Sequence, residues 1–158
     1  MFGLSNNKLK EYTLPYGWRI SFPRSWRHEF QPEEEGDQYL FYPKNDDLTF
    51  WITSFHVEKQ GVNAPVDILI QTFLHNTRSL QQKKGLNFKH NDFVTACMEG
   101  ITKENGKDLN RVSCGIAVDG FLLTLNIFAT KKHSIDRSLR YISSVCRREY
   151  PGMEYQTR

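Results

Sequence analysis

Hydrophobic and polar residues alternate most regularly in the last third of the chain. Val112, Cys114, Ile116 and Val118 occupy every second position, separated by Arg111, Ser113, Gly115 and Ala117, and Phe121, Leu123, Leu125 and Ile127 repeat the pattern after Asp119-Gly120. A period of two puts each set on one face of an extended strand. A two-residue Asp-Gly loop favours a type I′ hairpin turn with both central residues at positive φ. That loop pairs Val118 with Phe121, Ile116 with Leu123, Cys114 with Leu125 and Val112 with Ile127. One face of the Arg111 to Ala129 hairpin is therefore apolar and requires a covering layer.

The remaining elements are predicted around it. Glu11 to Leu14 and Trp18 to Phe22 form short strands about the turn residues Pro15-Tyr16-Gly17, and Tyr39 to Tyr42 and Leu48 to Val57 are strand-like on either side of Pro43 to Asp47. Asn63-Ala64-Pro65 opens a helix with apolar positions Val66, Leu69, Ile70, Phe73, Leu74 and Leu80, closed by Gly85. Phe88 to Val94 and Thr95 to Glu104 are extended and lead into a turn at Asn105-Gly106. A plain two-residue loop there would set Glu99 opposite Val112 and divide the apolar residues between faces. A three-residue Asn105-Gly106-Lys107 loop with a glycine bulge sets Met98 opposite Cys114 and Ala96 opposite Ile116, and the bulged form is expected. Ser134 is expected to cap a last helix with Ile135, Leu139, Ile142, Val145 and Cys146 inward, ending near Pro151-Gly152. The order implies an α+β fold: an antiparallel sheet of about six to seven strands flanked by helices. No repeat or linker divides residues 1–158, so one domain is expected.

Composition narrows this picture only slightly. With 158 residues and 39% hydrophobic residues the chain can build a core without staples. A net charge of +3 from 21 basic and 18 acidic residues is too balanced to signal nucleic acid. Met1 to Lys10 lacks the apolar run of a signal peptide, and no stretch approaches the roughly 20 apolar residues that span a bilayer. A cytoplasmic location with no membrane partner is the expectation. Cys97, Cys114 and Cys146 are odd in number and widely spaced, which predicts reduced core residues rather than a disulfide framework or a zinc site.

Leu14-Pro15-Tyr16-Gly17-Trp18-Arg19-Ile20-Ser21-Phe22-Pro23-Arg24-Ser25-Trp26 resembles the opening of the Mog/PsbP/DcrB-like superfamily, and the element order from Tyr12 to Arg147 is similar to that of its uncharacterised bacterial single-domain members. The resemblance implies a PsbP-like αβα sandwich used for binding rather than catalysis, as in the photosystem II extrinsic subunit and a Ran import factor. The Gly-rich acidic Ran-contacting motif of that factor has no counterpart in Met1 to Glu11.

Candidate chemistry is sparse. No Gly-x-Ser-x-Gly elbow is present, and the five histidines stand at no metal-ligand spacing. No glycine-rich phosphate loop joins a strand to a helix either. No enzymatic activity, cofactor or metal is expected. Three surfaces are candidates for partner binding: the acidic loop Glu33, Glu34, Glu35 and Asp37; Arg140 and Arg147, which helical spacing would put near one face; and an aromatic groove containing Tyr42 and Trp51, should one helix leave part of a sheet face uncovered. The leading expectation is a non-enzymatic binding or accessory module recognising another protein. The alternative is a small-molecule or lipid-binding protein using a cavity between sheet and helix.

Overall fold

The structure is a computed structural model, and it describes residues 8–34, 36–45 and 47–149. Its strands are β1 Leu9–Thr13, β2 Trp18–Pro23, β3 Arg27–Gln31, β4 Gln38–Tyr42, β5 Leu48–His56, β6 Glu58–Lys59, β7 Val62–Asn63, β8 Gln81–Gly85, β9 Val94–Glu104, β10 Lys107–Val118, β11 Phe121–Ala129 and β12 Cys146–Arg147. Helix α1 spans Val66–Asn76 and α2 spans Lys132–Ser138, the latter continued by a 3-10 turn over Leu139–Ser144. The fold is α+β with strand content dominant. Seven strands form one antiparallel sheet in the order β3-β4-β5-β11-β10-β9-β8, and β1-β2-β12 form a second, three-stranded sheet.

The β10–β11 hairpin lies at the heart of the large sheet with the expected register, Val118↔Phe121 through Val112↔Ile127. Val112, Cys114, Ile116, Leu123, Leu125 and Ile127 face inward with Phe50 and Ile52 of β5, and all of them are buried. Cover comes from Trp18, Ile20 and Phe22 of β2 and from Ile135, Tyr141, Ile142 and Val145 of the last helical segment. Phe22 is the hub, with its ring 4.6 Å from Phe41 and 4.9 Å from both Trp26 and Phe50. Helices on both faces are present only in part, because the inner face is shared between α2 and the small sheet.

Several local expectations are corrected. The β9–β10 turn is the plain two-residue loop, with Asn105 at φ 53° and Gly106 at φ 78°, so Glu104 pairs with Lys107 and Glu99 with Val112. Two consecutive residues at positive φ are the type I′ geometry that suits the strand twist, and this prevails over apolar matching. Cys97 consequently faces Cys114, and the two buried cysteines form a disulfide rather than reduced thiols; Cys146 remains free. At the other turn only Gly120 takes positive φ, so that loop is not type I′. The turn is instead clamped by its neighbours: Gly120 N–H donates to Ala64 O at 2.7 Å, and Val66 N–H donates to Asp119 Oδ1 at 2.9 Å. Asp119 thus supplies from β10–β11 the cap that Pro65 cannot give α1.

Helix α1 stops at Asn76, not near Gly85. Thr77 Oγ1 donates to Leu74 O at 2.7 Å, and Gln81–Gly85 joins the sheet as edge strand β8. The stretch before Val94 is a loop in which His90 Nδ1 accepts from Asp92 N–H (3.0 Å), so its Nε2–H donates to Val145 O at 2.8 Å. Ser134 does not cap the last helix; α2 begins at Lys132, Ser134 is buried inside it, and the helical segment gives way to β12 at Cys146. The expected end at Pro151-Gly152 lies outside the described residues.

Candidate binding site

The outer face of the large sheet is divided. Ala117 and Leu122 pack beneath Leu69 and Phe73 of α1, with Phe55 against the same cluster. Gly115 lies directly under Phe73: a Cβ there would sit 2.7 Å from the ring. Beside this helix-covered half, Gly36 of the acidic loop approaches Thr53 and Phe55, where an added Cβ would lie 2.9 Å from Thr53 Cγ2. The cross-strand pairs Arg111↔Phe128, Ser113↔Asn126, Asn126↔Trp51 and Leu40↔Trp51 continue the same face beyond α1. Trp51, Phe128, Arg111 and Asn126 there are partly exposed.

Period-two alternation builds this patch: Arg111 and Ser113 are the residues between the inward Val112 and Cys114, just as Asn126 and Phe128 flank Ile127. Trp51 and Phe128 meet edge to face with centroids 6.4 Å apart. The Arg111 guanidinium carbon lies 5.4 Å from the Phe128 ring centroid. Arg111 Nε donates to Ser113 Oγ at 3.0 Å, and Nε and Nη2 donate to Asn126 Oδ1 at 3.3 and 2.9 Å. Ser113 Oγ also donates to Asn126 Oδ1 at 2.6 Å. Burial lowers the Arg111 pKa from the ordinary arginine value, because desolvation penalises the charged form.

The expected site residues are distributed unequally. Tyr42 and Trp51 share the outer face, since Tyr42 follows Leu40 by two positions and Leu40 pairs with Trp51. Tyr39, Phe41 and Phe50 turn inward. Glu33 and Glu34 are exposed and Asp37 is half-buried, while Glu35 lies outside the described residues. The Gly36 contact puts this loop at the margin of the aromatic face, so two separately expected surfaces adjoin. Arg140 and Arg147 do not share a helix face. Arg140 is exposed on the 3-10 turn and bonds Tyr141 Oη at 2.9 Å, whereas Arg147 pairs with Trp18 in β12. Its guanidinium lies 3.6 Å from the Phe121 ring centroid and is ion-paired with Glu149 at 2.6 Å. Arg111, Ser113 and Asn126 were missed as site residues, although the hairpin register already places all three on one face with Phe128.

On the inner side of the β9 edge a groove of about 200 Å³ is lined by Lys84, Glu99, Val112, Lys132 and Ile135. Glu99 lies 3.0 Å from Lys84 and 3.9 Å from Lys132, so its charge is already balanced. Among the described residues no three His, Cys, Asp or Glu side chains converge to hold a metal, and no helix is long and apolar enough to cross a membrane.

No protein-family model and no curated protein sequence matches the chain. Solved structures do. A protein of Bacteroides thetaiotaomicron VPI-5482 superposes with a TM-score of 0.65 at 17% identity over 92% of this chain, which spans only 50% of that protein's length. Cyanobacterial PsbP (CyanoP) of Synechocystis sp. PCC 6803 matches with a TM-score of 0.60 at 12% identity, covering 90% of this chain and 94% of that one. LpqN of Mycobacterium tuberculosis, described as involved in cell envelope biogenesis, matches at 0.51 and 17% identity over 87% and 88%. At such identities the likeness is one of architecture, and it agrees with the opening Leu14 to Trp26 and with the order of elements: the chain has the PsbP-like, DcrB-like fold.

Proposed function

We propose that this protein is a non-enzymatic binding module that recognises another protein through the open half of its outer sheet face. The observation that supports this most is the partly exposed Trp51–Phe128 pair with the Arg111 guanidinium 5.4 Å from the Phe128 ring centroid. Tryptophan and arginine are enriched among residues that dominate protein interfaces, and aromatic rings present large area at low entropic cost. Glu33 and Glu34, exposed on the adjoining loop, form a polar rim. The groove beside Glu99, at about 200 Å³, is smaller than the roughly 300–1,000 Å³ usual for ligand pockets and gives a small-molecule role no support of its own. The Cys97–Cys114 disulfide favours an oxidising compartment over the cytoplasm as the place of action.

Affinity capture from the native extract tests the reading when wild type is compared with Trp51→Ser and Phe128→Ser. A stoichiometric partner retained by wild type and lost from both variants is expected. Retention by both variants, or substrate turnover that depends on a single polar side chain, would contradict it.

A further inference from the structure

The open face holds a cation without an anion. Arg111 is half-buried, yet no carboxylate among the described residues lies within ion-pair distance of it, whereas Arg19 is matched by Glu11 at 3.1 Å and Arg147 by Glu149 at 2.6 Å. Its partners Ser113 and Asn126 are neutral. Removing a charge from water without a counter-charge is costly, so a site that keeps one gains most when a partner supplies the missing sign.

The geometry of the guanidinium is also specific. One edge, Nε with Nη2, is held by Ser113 Oγ and Asn126 Oδ1, and the plane is steadied by the Phe128 ring. The hydrogen bonds of Arg111 to described residues run through Nε and Nη2, and none runs through Nη1. The terminal Nη1–Nη2 edge therefore offers the parallel pair of N–H groups that a carboxylate accepts in bidentate fashion. The rotamer is already fixed by the network, so little further entropy is lost on binding.

We infer that the partner presents a carboxylate: the face docks an acidic peptide segment whose Glu or Asp side chain seats on the terminal edge of Arg111 while a neighbouring apolar side chain packs on Trp51 and Phe128. This rests on the reading of the face as a protein-docking surface and names the chemistry recognised there. A nucleic acid or an anionic membrane fits less well. Such polyanions call for several cations, but Tyr42, Trp51, Ser113, Asn126 and Phe128 around Arg111 are uncharged, so the face offers one guanidinium and suits a single carboxylate.

The test is a titration of the ¹⁵N-labelled full chain with the acetylated, amidated peptide Ala-Glu-Phe-Glu-Ala and with its neutral counterpart Ala-Gln-Phe-Gln-Ala, observed at the Arg111 Nε–H and Trp51 indole N–H signals. The acidic peptide is expected to shift both signals saturably, and the neutral one to bind at least roughly tenfold more weakly, the equivalent of one charge-assisted hydrogen bond. R111Q should abolish the difference between the peptides, and R111K should restore only part of it, since lysine keeps the charge and loses the fork. The peptide pair decides the matter in wild type even if R111Q does not fold. Equal affinity of the two peptides with a shifted Trp51 signal overturns the carboxylate inference and leaves the docking face standing. If neither peptide moves either signal, both fall together.

Discussion

Gly115→Ala should loosen the helix-covered half of the outer face, and the structure permits the size of the effect to be worked out. The new Cβ would lie 2.7, 2.8 and 3.0 Å from Phe73 Cγ, Cδ2 and Cδ1. Carbon atoms rest at about 3.5–4.0 Å, so the ring must retreat by close to an ångström. Phe73 is buried at 4% exposure and is anchored on α1 beside Leu69, so retreat means shifting the helix or forcing the rotamer. Overpacking of this kind costs about 1–3 kcal/mol. Replacing a strand glycine also removes freedom from the unfolded chain, which returns about 0.4–1 kcal/mol where the backbone is compatible. The net loss is then roughly 1–2 kcal/mol. Urea unfolding followed by circular dichroism should show a lower midpoint with an unchanged slope. Phe73→Leu should relieve the clash, so the double variant should be more stable than the sum of the single effects implies, by about 1 kcal/mol. Additive effects, or a Gly115→Ala protein within about 0.5 kcal/mol of wild type, would refute the claim that Phe73 closes onto the Gly115 backbone.

Other outcomes follow from the same contacts. Asp119→Ala removes the acceptor for Val66 N–H at the start of α1 and should cost about 1 kcal/mol by denaturation, with no loss from Asp119→Asn beyond a few tenths. Reducing Cys97–Cys114, which closes a separation of 17 residues, should lower stability by about 3 kcal/mol, measured as the midpoint shift on adding reductant; an unchanged midpoint would contradict the disulfide. Ile142→Ala, at a fully buried position in the 3-10 turn, should cost about 2–5 kcal/mol, whereas Trp51→Ser at its partly exposed position should cost less in the same assay. Hydrogen exchange should find the amides of β10 and β11 among the slowest of the chain, since they are flanked by β9 and β5.

The hairpin was legible to the residue because both of its strands alternate strongly and its inward row is apolar throughout, so a slip by one position would expose every buried side chain. The neighbouring β9 register was not. Its inward row contains Glu99, Cys97 and Thr95, and what makes that row tolerable is visible only in three dimensions: Lys84 and Lys132 around Glu99, and the bond between Cys97 and Cys114. Strands β3 and β8 escaped notice for a related reason. Arg-His-Glu-Phe-Gln and Gln-Gln-Lys-Lys-Gly are exposed almost throughout, so they become strands because β4 and β9 offer edges to pair with, not because of their own pattern. Among the site residues, Tyr42 and Trp51 could be placed by aromatic content. Arg111 could not be singled out without knowing that α1 stops short of it and that Asn126 receives its hydrogen bonds.

Site-specific photocrosslinking in the native extract tests most directly whether the open face is where a partner docks. A benzoylphenylalanine at Thr49, which pairs with Phe128 on that face, is compared with one at Gln71 on the solvent side of α1. A discrete protein adduct from position 49, absent from position 71 and lost when Arg111→Gln is introduced, is the expected result. An adduct from position 71 alone, or equal adducts from both positions regardless of Arg111, would contradict the account.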